Sequence, residues 1–197
     1  MSVQASAPSR RFEAADIAYV AVFAALIAAL SLTPSIPLGA LGVPITLQTL
    51  GVALAGLLLG PWRGCAAVGL YLLVGAAGLP VFAQGSAGIG VFFGATGGYL
   101  LAFPLAALVS GAIARWALRH GMQRWTGLWL FAGLLVTRYL VILPLGVAGL
   151  VRALGLSWRE AIVVDMAFWI GDAVKGVIAT VLALAVHRAF PRLMRRD

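Results

Sequence analysis

The sequence predicts an all-α integral membrane protein, a bundle of about six transmembrane helices with a glycine-rich outward loop between the third and fourth. Three observations lead there. Of 197 residues, 62% are hydrophobic and only 10% are charged, against about 25% charged in an average soluble domain. The apolar residues gather in runs of membrane-crossing length, and a spanning helix needs about 20 residues plus a short connection. The arginines, finally, fall between those runs with a strong bias to one side.

The elements follow in order. Residues 1–15 form a tail expected in the cytoplasm. Its first eleven residues, ending Arg10-Arg11, resemble neither a cleaved signal peptide nor a lipidation motif. The run 16–32 follows Glu13 and Asp16, stops at Thr33-Pro34, and reads as a retained first helix. A second run, 45–59, ends at Gly60-Pro61, and a third covers 63–77. Both are short for a full crossing, so flanking residues are expected to extend them. The turn between them is Gly60-Pro61-Trp62-Arg63-Gly64.

Residues 78–98 differ from every other connection. They contain seven glycines and no charge. Glycine lets backbone bend and approach closely, and non-helical backbone at membrane depth is tolerated where protein buries it or it lines a cavity. The segment therefore reads as a re-entrant or capping loop. Three further helices are expected at 97–119, 126–151 and 159–188, so the transmembrane domain covers 16–188. Residues 189–197 are a basic tail.

With six helices, Arg10, Arg11, Arg63, Arg115, Arg119, Arg124, Arg188, Arg192, Arg195 and Arg196 lie on one side. Only Arg152 and Arg159 lie on the other. The positive-inside rule then puts both termini in the cytoplasm, and the 33–44 and 78–98 loops outside. The net charge of +8 would suggest nucleic acid in a soluble chain. Here it is a topological signal, and no nucleic-acid partner is expected.

Most enzyme signatures are missing. There is no GxxxxGK[ST], hence no P-loop for ATP hydrolysis, and no GxSxG. His120 and His187 sit beside arginines at helix ends, where solvated, snorkelling side chains are expected. The single cysteine, Cys65, allows no internal disulfide and reads as a small packing residue. Neither a metal site nor a cofactor is expected.

Four ionisable residues remain inside the apolar runs: Arg138, Asp165, Asp172 and Lys175, the last the only lysine in the chain. Each costs about 2.5–3.5 kcal/mol at the bilayer centre. Asp172 and Lys175 are three apart and share a helix face, and Asp165 lies one heptad earlier near the same face. A purely structural pair could be replaced by apolar residues at lower cost, so a ligand site is the better reading. Arg138 is left with two roles, pairing with an aspartate of the last helix or binding a ligand carboxylate. On the first helix, Ala21, Ala25 and Ala29 repeat at four-residue spacing, as do Ala24 and Ala28, and such faces permit close helix approach in lipid.

Four segments occur in order: GVPITLQTLGVALAGLLLGPWRG, GLPVFAQGSAGIG, ATGGYLLAF and GDAVKG. Together they resemble the BioY family, the biotin-capturing membrane components of energy-coupling factor transporters. The resemblance spans residues 43–179. It implies six helices with cytoplasmic termini in the inner cell membrane, biotin bound near the outer face, and no enzymatic activity of the chain itself. It also implies partners besides membrane lipid: a transmembrane coupling protein, docked on the Ala21, Ala25, Ala29 stripe, and two ATPase subunits. In a biotin site, Asp172 would accept from the ureido N–H groups and Lys175 would donate to an oxygen. Tyr99, Phe92, Phe93 and Trp169 are candidate walls by position, and Gln84 and Thr96 join them from the loop. Lys175, Arg138 or Arg159 would face the valerate carboxylate. The chain departs from the family pattern at Ala95, where proline is common, at Gln84, where glycine or asparagine is common, and at Ile170, where proline precedes Gly-Asp. Capture of another small vitamin, a membrane-embedded enzyme and a structural bundle remain as alternative readings.

Overall fold

A computed structural model describes residues 14–37, 43–119, 121–191 and 193. Arg10, Arg11, His120, Arg192, Arg195 and Arg196 lie outside the described residues.

Helix α1 spans Ala14–Ser31. A short antiparallel pair follows, β1 (Ile36–Pro37) against β2 (Pro44–Ile45), with Ile36 opposite Ile45. Helix α2 spans Gln48–Ala76, α3 Gly97–Leu118, α4 Thr126–Thr137, α5 Leu143–Leu154 and α6 Trp158–Ala189. A π-turn, Arg138–Ile142, joins α4 to α5. Among the described residues, five helices are long and apolar enough to cross a membrane, with Thr126–Leu154 counted as one.

The runs at 45–59 and 63–77, expected as separate helices, are the two helical halves of α2, which meet at a non-helical Gly60 and fold back on one another. In a straight helix Gln48 and Tyr71 would lie about 35 Å apart, yet Gln48 Nε2 donates to Tyr71 Oη at 2.7 Å. One residue makes the reversal. Gly60 has φ 80° and ψ −178°, a backbone state open to glycine and costly for other residues. Pro61 follows, its missing N–H and fixed φ suited to restarting a helix. The two halves then touch closely, because a Cβ at Gly64 would lie only 2.8 Å from the Ala55 carbonyl oxygen.

The other interhelical contacts also rest on absent side chains. A Cβ at Gly56 would lie 2.9 Å from the Ala107 carbonyl oxygen, and one at Gly98 would lie 2.8 Å from Gly149 Cα. Lipid competes with helix contacts by being equally apolar, so close van der Waals packing supplies much of the association. Ile27, Ala55, Val68, Tyr71, Phe82 and Ala102 fill the core between α1, α2 and α3. At α6 the start is defined by a capping box. Ser157 Oγ accepts from the Glu160 N–H while Glu160 Oε2 accepts from the Ser157 N–H.

Two expectations about charged ends need correction. Arg63, read as a loop signal, is buried. It pairs with Asp16 of α1 at 2.9 Å and donates to the Leu193 carbonyl at 3.4 Å. His187, expected to be solvated, is also buried, with Nε2 2.9 Å from the Leu57 carbonyl. His187 sits against the reversal of α2, where Pro61 has no N–H to give the Leu57 carbonyl four residues back, and the ring nitrogen meets that carbonyl instead. Cys65 is half-buried within α2.

Candidate functional site

Asp165 and Asp172 are seven residues apart on α6, hence about 10 Å along its axis and near one face. A single guanidinium bridges them. Arg138 Nη2 meets Asp165 Oδ2 at 2.7 Å and Arg138 Nε meets Asp172 Oδ2 at 2.7 Å. The backbone that carries Arg138 explains its reach. Pro144 has no N–H to give to the carbonyl four residues back, and the Leu143 N–H bonds instead to the Arg138 carbonyl, five residues back. The widened turn lies at the site, as π-bulges often do.

Lys175 completes the cluster. Its Nζ lies 2.6 Å from Asp172 Oδ1 and donates to Thr49 Oγ1 at 2.7 Å and to the Thr46 carbonyl at 3.0 Å. With its lone pair engaged by Lys175, the Thr49 hydroxyl donates onward to Asp172 Oδ1 at 3.0 Å. Asp165 is fully buried and accepts also from Tyr99 Oη and Trp169 Nε1, each at 2.9 Å. Two cations and two carboxylates thus cancel, which is the condition for burying them at all. One donor is left over. Arg138 Nη1 is buried with no hydrogen-bond partner among the described residues. Of the two roles weighed for Arg138, the structure shows the aspartate pairing, with the two N–H groups of Nη1 left over.

This network floors a cavity of about 350 Å³, within the range of small-molecule sites. The β2–α2 junction contributes Val43, Thr46, Gln48 and Thr49. The glycine-rich segment contributes Phe82, Gln84, Ser86 and Gly94, and the helices add Tyr99, Phe103 and Phe168. Within that segment, two 3-10 turns, Ala83–Gly85 and Ile89–Phe93, fold it across the cavity. Phe82 is buried and its ring meets the edges of Tyr71 and Phe92 at centroid distances of 5.5 and 5.7 Å. Gln84 has φ 58°, the only non-glycine positive φ among the described residues. Glycine and asparagine tolerate that region best, which explains why they would be common at this position.

Six candidate residues read from the sequence come together here: Asp172, Lys175, Arg138, Tyr99, Thr96 and Gln84 all line the cavity. Phe92 and Trp169 do not. Phe92 stands behind Phe82. Trp169 spends its N–H on Asp165 and stacks edgewise on Tyr139 at 5.4 Å. Phe93 is 63% exposed, beside Arg152, and Arg159 is also exposed and absent from the cavity wall. The placement fails because helical phase decides which flank of a short aromatic cluster meets the cavity. Sequence reasoning passed over Thr46, Gln48 and Thr49. Their signal was present: three polar residues within four positions at the head of an otherwise apolar helix. On α1, Ala21, Ala25 and Ala29 are exposed while Ala24 is buried.

Comparison with known proteins identifies relatives of the chain. The BioY family model matches residues 3–192. The chain is 38% identical over 182 residues to the biotin transporter BioY of Rhizobium etli, covering 92% of this chain and 97% of that protein. It is 39% identical over 185 residues to the biotin transporter BioY of Rhodobacter capsulatus, covering 89% and 95%. A crystal structure of the S-component for biotin from an ECF-type ABC transporter superposes with a TM-score of 0.81 at 28% identity, covering 88% of this chain and 91% of that one.

Proposed function

This chain belongs to the BioY family, and we propose that it captures biotin with high affinity for uptake across the cytoplasmic membrane, as the substrate-binding component of an energy-coupling factor transporter. It is a capture protein and not an enzyme. The observation that carries the reading is the buried, charge-balanced cluster of Arg138, Asp165, Asp172 and Lys175 beneath a cavity with aromatic walls.

Biotin's ureido ring presents two N–H donors and one carbonyl acceptor. Asp172 Oδ2 accepts only Arg138 Nε among the described residues, and a carboxylate oxygen has a second lone pair for a ureido N–H. Lys175 and Arg138, which line the cavity, supply donors for the ureido oxygen. Tyr99, Phe82, Phe103 and Phe168 enclose the thiophane ring and valeryl chain. The floor is already neutral, so a further buried carboxylate would be costly there. The valerate group therefore points to the exposed Gln84 and Ser86 side of the cavity, where it keeps its hydration.

The two halves of α2 count as separate crossings, giving six traverses with both termini on one side, and the arginine bias makes that side cytoplasmic. The glycine-rich segment then lies outside as a cover over the site. The exposed Ala21, Ala25, Ala29 row is the docking face for a transmembrane coupling protein, which joins the chain to two ATPase subunits. Calorimetric titration of the detergent-purified chain with biotin tests the reading. Saturable one-to-one binding that Asp172→Asn weakens more than tenfold is expected. Absence of biotin binding by a folded, monodisperse protein refutes it.

A further inference from the structure

A second concavity, about 780 Å³ and almost wholly apolar, opens on the flank of the bundle. It lies behind the ligand cavity, between α2, α3, α5 and the Ile89–Phe93 turn. It extends from Ala76 to Gly69 along α2 and from Arg152 to Leu145 along α5. Seven residues on each helix correspond to about 10 Å of depth, a third of a hydrocarbon core about 30 Å thick. One charged residue lines it, Arg152, in the last turn of α5 and thus at the membrane-surface end. Its guanidinium rests 5.3 Å from the centre of the Phe93 ring, a cation–π contact that holds it over the groove.

We propose that this groove binds one anionic phospholipid of the adjacent leaflet, its acyl chain in the groove and its phosphate on Arg152, and that the lipid braces the Ile89–Phe93 turn. The occupant follows from charge and shape. An amphiphile with a long apolar part and an anionic head matches an apolar trough with a cation at its surface end. A docked helix matches less well, because the close-approach surface is already used: Gly98 and Gly149 pack against each other between α3 and α5. What faces outward is a surface of exposed side chains, Leu73, Leu101 and Phe93. The bracing follows from shared walls. Gly94 lines both the groove and the ligand cavity, Val91 lines the cavity, and Phe92 bears on Phe82.

The test uses the full chain in phosphatidylcholine nanodiscs. They carry a tracer of phosphatidylglycerol or phosphatidylcholine with a photoactivatable acyl chain, and labelled peptides are mapped by mass spectrometry. A surface arginine favours an anionic headgroup by about fivefold. Phosphatidylglycerol should label segments 69–76 and 145–152 by about that factor over phosphatidylcholine. Arg152→Gln should erase the preference, and Ala148→Trp, which fills the groove, should remove the labelling. Labelling around the exposed Ile170 of α6 should show no preference. A spin label at Ala87 should be less mobile with phosphatidylglycerol in the disc, and Arg152→Gln should abolish the difference. Equal labelling by the two lipids, a preference that survives Arg152→Gln, or label mobility blind to the lipid would overturn the proposal. So would a groove closed to lipid in a dimer that Ala148→Trp dissociates, which would mark a second copy as the occupant. Biotin is not a readout, so failure of the biotin reading would leave this test intact.

Discussion

Replacing Asp172 with asparagine removes one negative charge from a buried site of two cations and two carboxylates, leaving a net positive charge. The geometry makes the damage specific. If the amide oxygen keeps its bond to Arg138 Nε, the amide nitrogen takes the place of Oδ1. There it confronts Lys175 Nζ and the Thr49 hydroxyl, both donors to Oδ1 in the native site. Breaking one member of a buried ion pair costs about 3–5 kcal/mol. Even half that range, allowing for water in the open cavity, lowers affinity more than tenfold at about 1.4 kcal/mol per decade. Lys175→Met should weaken binding similarly, with Asp172 left to Arg138 alone. The double variant Asp172→Asn plus Lys175→Met restores neutrality, since Arg138 and Asp165 remain paired at 2.7 Å. Thermal unfolding in detergent and calorimetric titration separate the consequences. Stability should recover in part, while biotin affinity should stay as low as in the weaker single variant. A well-folded double variant that binds biotin as tightly as the unmodified chain would refute the ligand role of the pair.

Four other expectations follow from the same structure. A reporter fused after the last residue should be cytoplasmic, and a tag within residues 85–90 should be reachable from outside; the reverse labelling pattern would invert the topology. Ala25→Trp, on the exposed row of α1, should abolish copurification with a coupling protein and leave biotin affinity unchanged. Gln84→Gly should relieve about 1 kcal/mol of left-handed strain, seen as a raised unfolding temperature, because φ 58° suits glycine. Tyr99→Phe should leave Asp165 Oδ1 without its hydroxyl donor and cost about 1–3 kcal/mol of stability in the same unfolding assay.

Membrane setting, helix positions and all four charged residues that form the floor's ion pairs were legible because they depend on local, one-dimensional properties. Hydropathy over about 20 residues reports burial in lipid whatever the tertiary fold. An aspartate, lysine or arginine in such a run is conspicuous by its cost alone, and Asp172 and Lys175 are three apart on any helix. Phase and partnership were not legible in this way. Arg138 bridges two aspartates because the backbone around Pro144 opens a π-turn, and the partners come from a helix 27 and 34 residues away. Thr49 enters the site across a separation of more than 120 residues. Phe92 and Trp169 face away from the cavity for reasons that lie in their neighbours, Phe82, Tyr139 and Asp165. Gly60 was recognisable as a break in an apolar run. It also read as the turn between two crossings, and the hydrogen bond between Gln48 and Tyr71 shows how closely the two halves return to each other. Lipid solvation acts residue by residue and is written along the chain. The balance of buried charges is settled by side chains that become neighbours only when the helices pack.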